Sequence, residues 1–218
     1  MARPSQNLDQ KLTRLGRRHL ARRGSTRFSV RELCAEAGVN LGMFHYHFRS
    51  KAVFIGGLLE EIYGPMFARL NLAAASGADP VQRLRSTLLV FGGWVCEHRR
   101  LLARLSADLL GGDLAVAAFV RTAEPRHLAL IGGLIVECQQ AGRFPAGDPA
   151  EPLIFIGASC FLPLLVGTLA EGNRLLPIPL RAVFKKDGVI FTEAALERRI
   201  DAALRGLTLP HSNHVHAN

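Results

Sequence analysis

Arginine and lysine crowd the first 51 residues, with eleven cations against three carboxylates. That segment carries +8 of the net charge of +9, so the rest of the chain is nearly neutral. Such side chains neutralise phosphates and release counterions, and a basic segment of this density suits a polyanionic partner. Arg31 can pair bidentately with a guanine edge, whereas Leu41 and Met43 can meet only apolar features such as a thymine methyl. A basic tail that merely stays hydrated has the same composition, so the elements holding these side chains decide between the readings.

Those elements are legible in Phe28–Lys51, FSVRELCAEAGVNLGMFHYHFRSK. Ser29 and Glu32 fit a capping box, in which Ser29 Oγ accepts from the Glu32 amide and the Glu32 carboxylate reaches back to the Ser29 amide. Phe28 and Leu33 occupy the hydrophobic-staple positions, and Leu33, Cys34 and Ala37 form the inner side of a short helix that Gly38 ends. Asn40 caps a second short helix over Leu41–Phe48, with Phe44 and Phe48 four apart and facing inward. Ser50 caps a third helix from Lys51. This is a helix-turn-helix pattern that leaves Leu41, Gly42, Met43, His45, Tyr46 and His47 on outer faces. A preceding helix over Asn7–Arg23 places Leu8, Leu12, Leu15 and Leu20 on one face and its arginines elsewhere.

The run AGVNLGMFHYHFRSK resembles the DNA-binding domain of TetR-type (TetR/AcrR) transcriptional regulators, over roughly residues 8–60. Met43 and His45 depart from the types usual there, which bears on the bound sequence. The resemblance implies an all-α chain of about nine helices. Residues 1–54 would form the helix-turn-helix domain, 55–207 a helical effector-binding and dimerisation domain, and 208–218 a disordered tail. It implies phosphate contacts from Ser29, Tyr46, His47 and Lys51. Base reading falls to Arg31, Leu41, Gly42 and Met43, with His45 alongside. It also implies a homodimer on a palindromic operator, a cytoplasmic location and release by a small-molecule effector. Candidate effector-pocket residues are Phe67, Phe91, Trp94, His98, Phe119, His127 and Phe155, and a pocket of that character suits an apolar or aromatic ligand.

The later chain reads as further helices. One runs Lys51–Ala75, with a kink or break expected at Gly64-Pro65, and one from Asp79 or Pro80 to His98. The next runs from Arg99 or Arg100 to Leu110, and another from an Asp113 cap to Ala141 with a kink at Pro125. Then come Pro149–Glu171, an irregular stretch Gly172–Ile190, and a helix from Thr192 to Arg205. Leu153–Val166 is very apolar for a lone helix, and Ala194, Ala195, Ala202 and Ala203 permit close helix approach, so these two helices are the dimer candidates.

Other functions fare worse. No phosphate loop, nucleophile elbow or metal-ligand spacing occurs, so neither an enzyme nor a cofactor is expected. His45 and His47 do not share a helix face, and a mobile tail is the stronger reading of His211, His214 and His216. Cys34, Cys96, Cys138 and Cys160 lie far apart, as reduced cytosolic thiols do, with a thiol redox sensor as an alternative. The N-terminus has no apolar signal region. Leu153–Ala170 reaches the lower length of a membrane span, so a peripheral membrane protein is the other alternative, although a buried or interface helix fits its Gly, Ser and Pro content better.

Overall fold

The computed structural model describes residues 4–171 and 189–209 and contains no strand among them. Residues 172–188 of the irregular stretch expected over Gly172–Ile190, and the tail from 210 onward with its three histidines, lie outside the described residues. The helices are α1 (Pro4–Arg23), α2 (Val30–Ala37), α3 (Leu41–Phe48), α4 (Lys51–Ala75), α5 (Pro80–Leu110) and α6 (Leu114–Gln140). They continue with α7 (Ala150–Ile156), a π turn (Gly157–Phe161), α8 (Leu162–Glu171), a 3-10 turn (Val189–Phe191) and α9 (Glu193–Leu207). The chain divides into two compact units, Met1–Ala68 with Glu97–Arg126, and Arg69–Cys96 with His127–Asn218.

In the first unit the inward residues of α1 and the motif join one core: Leu12, Leu15, Leu20, Phe28, Leu33, Phe44, Phe54 and Leu58 are all buried there. Phe44 packs edge-on to Phe54 at 5.2 Å between centroids, which fixes α3 against α4. Gly38 takes the left-handed conformation at φ 69°, and its amide and that of Val39 close the end of α2 on Ala35 and Cys34.

Two expectations need correction, one at His98–Arg100 and one within Pro149–Glu171. The break expected between two helices at His98–Arg100 is absent, and α5 runs unbroken for 31 residues. His98, Arg99 and Arg100 include no Gly or Pro, so the charges there mark a turn within the helix and not its end. Of the kink or break expected at Gly64-Pro65 the break does not occur, and Pro65 and Pro125 both sit inside continuous helices, α4 and α6. Buried Tyr63 and Met66 anchor α4 on either side of Pro65. The helix expected over Pro149–Glu171 is interrupted by the π turn, where the Leu162 amide reaches back to Gly157 O. Pro163 lacks the amide hydrogen that would continue the ladder, which accounts for the widened turn before it.

In the second unit α9 packs on α7 and the π turn. Ala195, Leu196, Ile200, Ala203 and Leu204 are its buried side. Arg85 of α5 grips it, Nε donating to Asp201 Oδ1 at 2.6 Å and an Nη to Glu197 Oε1 at 2.6 Å.

Candidate nucleic-acid interface

Two caps set the recognition helix. Ser29 Oγ accepts from the Glu32 amide at 3.3 Å, and Asn40 Oδ1 accepts from the Met43 amide at 2.8 Å. The second half of the expected capping box does not form, because the Glu32 carboxylate is taken by Arg23 of α1. A guanidinium within reach outbids a backbone amide for a carboxylate. Glu36 is likewise drawn to α1: His19 Nε2 donates to it at 2.6 Å and Arg18 at 3.0 Å. The His19 hydrogen bond, then the charges of His19, Arg18 and Arg22, hold its carboxyl below the ordinary value against the opposing effect of burial.

The face of α3 opposite Phe44 is open. Leu41, Gly42, Met43, His45 and Tyr46 are exposed, Tyr46 at 82%. Arg31 is exposed in the first turn of α2, and Ser29 and Lys51 are half-buried at its start and at the start of α4. The link from α3 to α4 is two residues, Arg49 and Ser50. Arg49 has φ 59° and ψ −53°, and the Ser50 amide bonds Phe48 O, the pattern of a γ-turn. This strained residue is pinned by His45 Nδ1–H donating to its carbonyl at 3.1 Å. With Nδ1 used, neutral His45 has Nε2 as an outward acceptor. Ser50 Oγ then caps α4 by accepting from the Val53 amide.

Two predicted contact residues are already engaged. Lys51 Nζ donates to Thr26 O at 3.4 Å. His47 is only 10% exposed, and its Nδ1 lies 2.7 Å from Asp9 Oδ1. Asp9 was not identifiable from sequence, since nothing local marks a carboxylate 38 positions away as a partner.

The candidate effector residues fall into separate clusters. In the first unit Phe67 stacks on Tyr63 and Phe119 meets Tyr63 edge-on. Arg126 lies 4.7 Å over the Tyr63 ring and is paired with Glu60 at 2.7 Å. Tyr63 and Arg126 are additions to the sequence reading, and the Tyr63/Phe67 spacing of four was the available signal. His98, also in this unit, has Glu97 4.0 Å away. In the second unit Phe91 stacks on His127 and Trp94 and meets Phe161 edge-on. Phe155 is 45% exposed and borders a cleft of about 210 Å³ with Phe144, Gln139 and Glu151.

Burial pushes the Cys138 and Cys160 thiols up to about 11 and raises Cys34 as well, so these three hold little thiolate near neutrality. That disfavours a thiol sensor built on them. The Ala150–Ala170 segment is long and apolar enough to cross a membrane, with a mean hydropathy of 2.2 and 28% of it buried.

A capped, exposed recognition helix on a basic three-helix core defines a helix-turn-helix DNA-binding protein. Residues 12–57 match the family model described as bacterial regulatory proteins, tetR family. That match covers the helix-turn-helix segment, so residues 12–57 are a DNA-binding domain of the tetR-family type. Over 87 residues, 40% of its length, the chain is 26% identical to nucleoid occlusion factor SlmA of Marinomonas sp. (strain MWYL1), and it spans 44% of that relative. Its fold matches a TetR-family regulator of Agrobacterium tumefaciens at a TM-score of 0.66 and 16% identity, covering 94% of this chain and all of the other. It also matches a transcriptional regulator of Saccharomonospora viridis in complex with choline at 0.69 and 15%, with the same coverages.

Proposed function

We propose that the protein is a cytoplasmic homodimeric repressor that binds a palindromic operator and is released by a small-molecule effector. The observation that carries the DNA reading is the exposed face of α3, Leu41–Tyr46, beside exposed Arg31 and with Phe44 buried behind it. Residues 1–54 serve as the DNA domain and 55–207 as the effector and dimer domain. Ser29, Tyr46 and Lys51 contact phosphates, Lys51 by leaving Thr26 O. Arg31, Leu41, Gly42, Met43 and His45 face the bases.

One motif reads few base pairs, so a two-fold pair is required for specificity. The dimer face is the stripe Ile154, Phe155, Leu162, Val166 and Leu169, all more than 40% exposed. A second copy fits this stripe better than a bilayer does, because adjacent α9 exposes Glu197, Arg198 and Arg205. The aromatic clusters around Phe91 and Tyr63 support an apolar or aromatic effector, and the choline-bound relative supports a small molecule of some kind. The effector acts by favouring a conformation in which the two recognition helices are wrongly spaced. Selection of bound duplexes from a random DNA pool tests the proposal: an enriched inverted repeat is expected, and a pool without enrichment sinks it.

A further inference from the structure

Arg126 rests on an aromatic platform, all of it within the first unit. Tyr63 and Phe67, one turn apart on α4, stack at 5.8 Å with 13° between their planes. Tyr63 is buried and its hydroxyl donates to Ala123 O of α6 at 2.8 Å, which fixes the ring. Phe119 meets that ring edge-on at 5.9 Å. The Arg126 guanidinium lies 4.7 Å from the Tyr63 centroid and 5.5 Å from the Phe67 centroid. Glu60, a turn before Tyr63, accepts from both Arg126 Nη atoms, at 3.0 and 2.7 Å. Aromatic faces beside a carboxylate are the chemistry that holds an organic cation.

Guanidinium fills this platform imperfectly. Arg126 Nε is buried with no acceptor, and a buried N–H left unpaired is costly. A quaternary ammonium has no N–H, so it keeps the attraction of the rings and the carboxylate without that loss. The Arg126 hydrogen bond, against the opposing effect of burial and together with the Arg126 charge, holds the Glu60 carboxyl below its ordinary value. Both side chains reach solvent, so a ligand can approach and the guanidinium has water to turn into. We propose that Glu60, Tyr63, Phe67 and Phe119 form a binding site for a quaternary ammonium or similarly N-alkylated cation, and that Arg126 is its internal plug. The ligand displaces the guanidinium from the rings and takes Glu60 as its counter-charge. This gives the effector of the proposed function a cationic head group, and so its regulatory meaning rests on that reading.

The test is a titration of the full chain with tetramethylammonium chloride, followed by NMR of the ligand methyl protons, with sodium chloride holding the ionic strength fixed. tert-Butanol, a neutral molecule of similar shape, is the control. A plug that leaves the site open about 1–10% of the time weakens apparent affinity about ten- to a hundredfold. Arg126→Ala is therefore expected to bind tetramethylammonium tighter than wild type by about that factor. Arg126→Gln, which keeps the length of the side chain and loses the charge, shifts the affinity in the same direction. Phe67→Leu or Glu60→Gln, added to Arg126→Ala, undoes the gain. Equal or weaker binding by both Arg126 variants, or tert-butanol bound as well as the cation, overturns the site and leaves DNA binding standing. The affinity for a labelled duplex, measured with and without the cation, separates the two readings. Tighter cation binding by Arg126→Ala with DNA affinity unmoved supports the site and overturns its role as the effector site.

Discussion

The Ser25 hydroxyl donates to Asp113 Oδ2 at 2.8 Å across 88 positions of sequence, tying the α1–α2 loop to the α5–α6 turn. The Ser25 amide also donates to Asp108 Oδ2 at 2.6 Å. Gly24, at φ 75°, leaves room for that carboxylate, which would stand 2.4 Å from a Cβ. Asp113 meanwhile caps α6 through Oδ1, accepting from the Ala115 and Val116 amides at 3.0 Å. One carboxylate thus starts a helix and holds the loop that leads into the DNA-binding motif.

Ser25→Ala is therefore expected to destabilise the protein by about 1.5–3 kcal/mol, the range for a hydrogen bond to a charged group. Urea unfolding measures it. Burial alone would raise the Asp113 carboxyl, but the Val116 amide, the Ser25 hydroxyl, the Ala115 amide and the Lys51 charge hold it below the ordinary value. A depressed folded value means that its contribution is present above the unfolded value of about 3.9 and is lost as pH falls through the folded one. The gap between wild type and Asp113→Asn should therefore narrow below about pH 4. A constant gap would contradict this account of Asp113.

Gly92→Ala should destabilise the second unit. The added Cβ would lie 2.6 Å from a Leu196 Cδ and 3.1 Å from its Cγ. Leu196 is 1% exposed, so it has no free space into which to turn. Overpacking of this kind costs about 1–3 kcal/mol. Restoration of stability by Leu196→Ala in the same chain, in a double-mutant cycle, would locate the clash, and simple additivity would refute it.

Local devices were legible in the sequence and partner choice was not. Asn40, Gly38 and Ser50 act on amides or carbonyls within a few residues, so their types and spacing suffice. Glu32 shows the limit: its capping-box partner is local, but Arg23 on another helix takes the carboxylate. His47 shows it again, because only the packing of α1 brings Asp9 to it. Helix continuity at His98–Arg100 is not legible from charge density, since no breaker residue stands there and α5 runs on. The interface was legible as a motif, while the orientation of its rings depends on side chains distant in sequence.

Leu162→Glu and Val166→Glu should each convert a dimer to a monomer in sedimentation at micromolar protein. Both positions are exposed, at 51% and 42%, so neither change disturbs the packing of the monomer core. A carboxylate facing its own symmetry mate on an apolar stripe is desolvated and repelled. Retained helicity with lost dimer and weakened binding to a two-half-site duplex is the expected pattern. A dimer unchanged by both variants would assign the interface elsewhere.

On the proposed reading, Arg31 and Lys51 separate base reading from phosphate binding. Arg31 is exposed on α2, and Lys51 heads α4, where helix amides add to its attraction for a phosphate. Arg31→Ala should cost about 1–3 kcal/mol on the selected operator and relax preference at one base pair, with random DNA bound nearly as before. Lys51→Ala should weaken selected and random duplexes alike and lower the slope of log affinity against log salt by about one. Titrations of both variants at several salt concentrations measure the two effects together. Equal losses on selected and random DNA for both variants would refute the division of roles, because a residue that reads a base edge must discriminate between sequences and one that grips a phosphate must not.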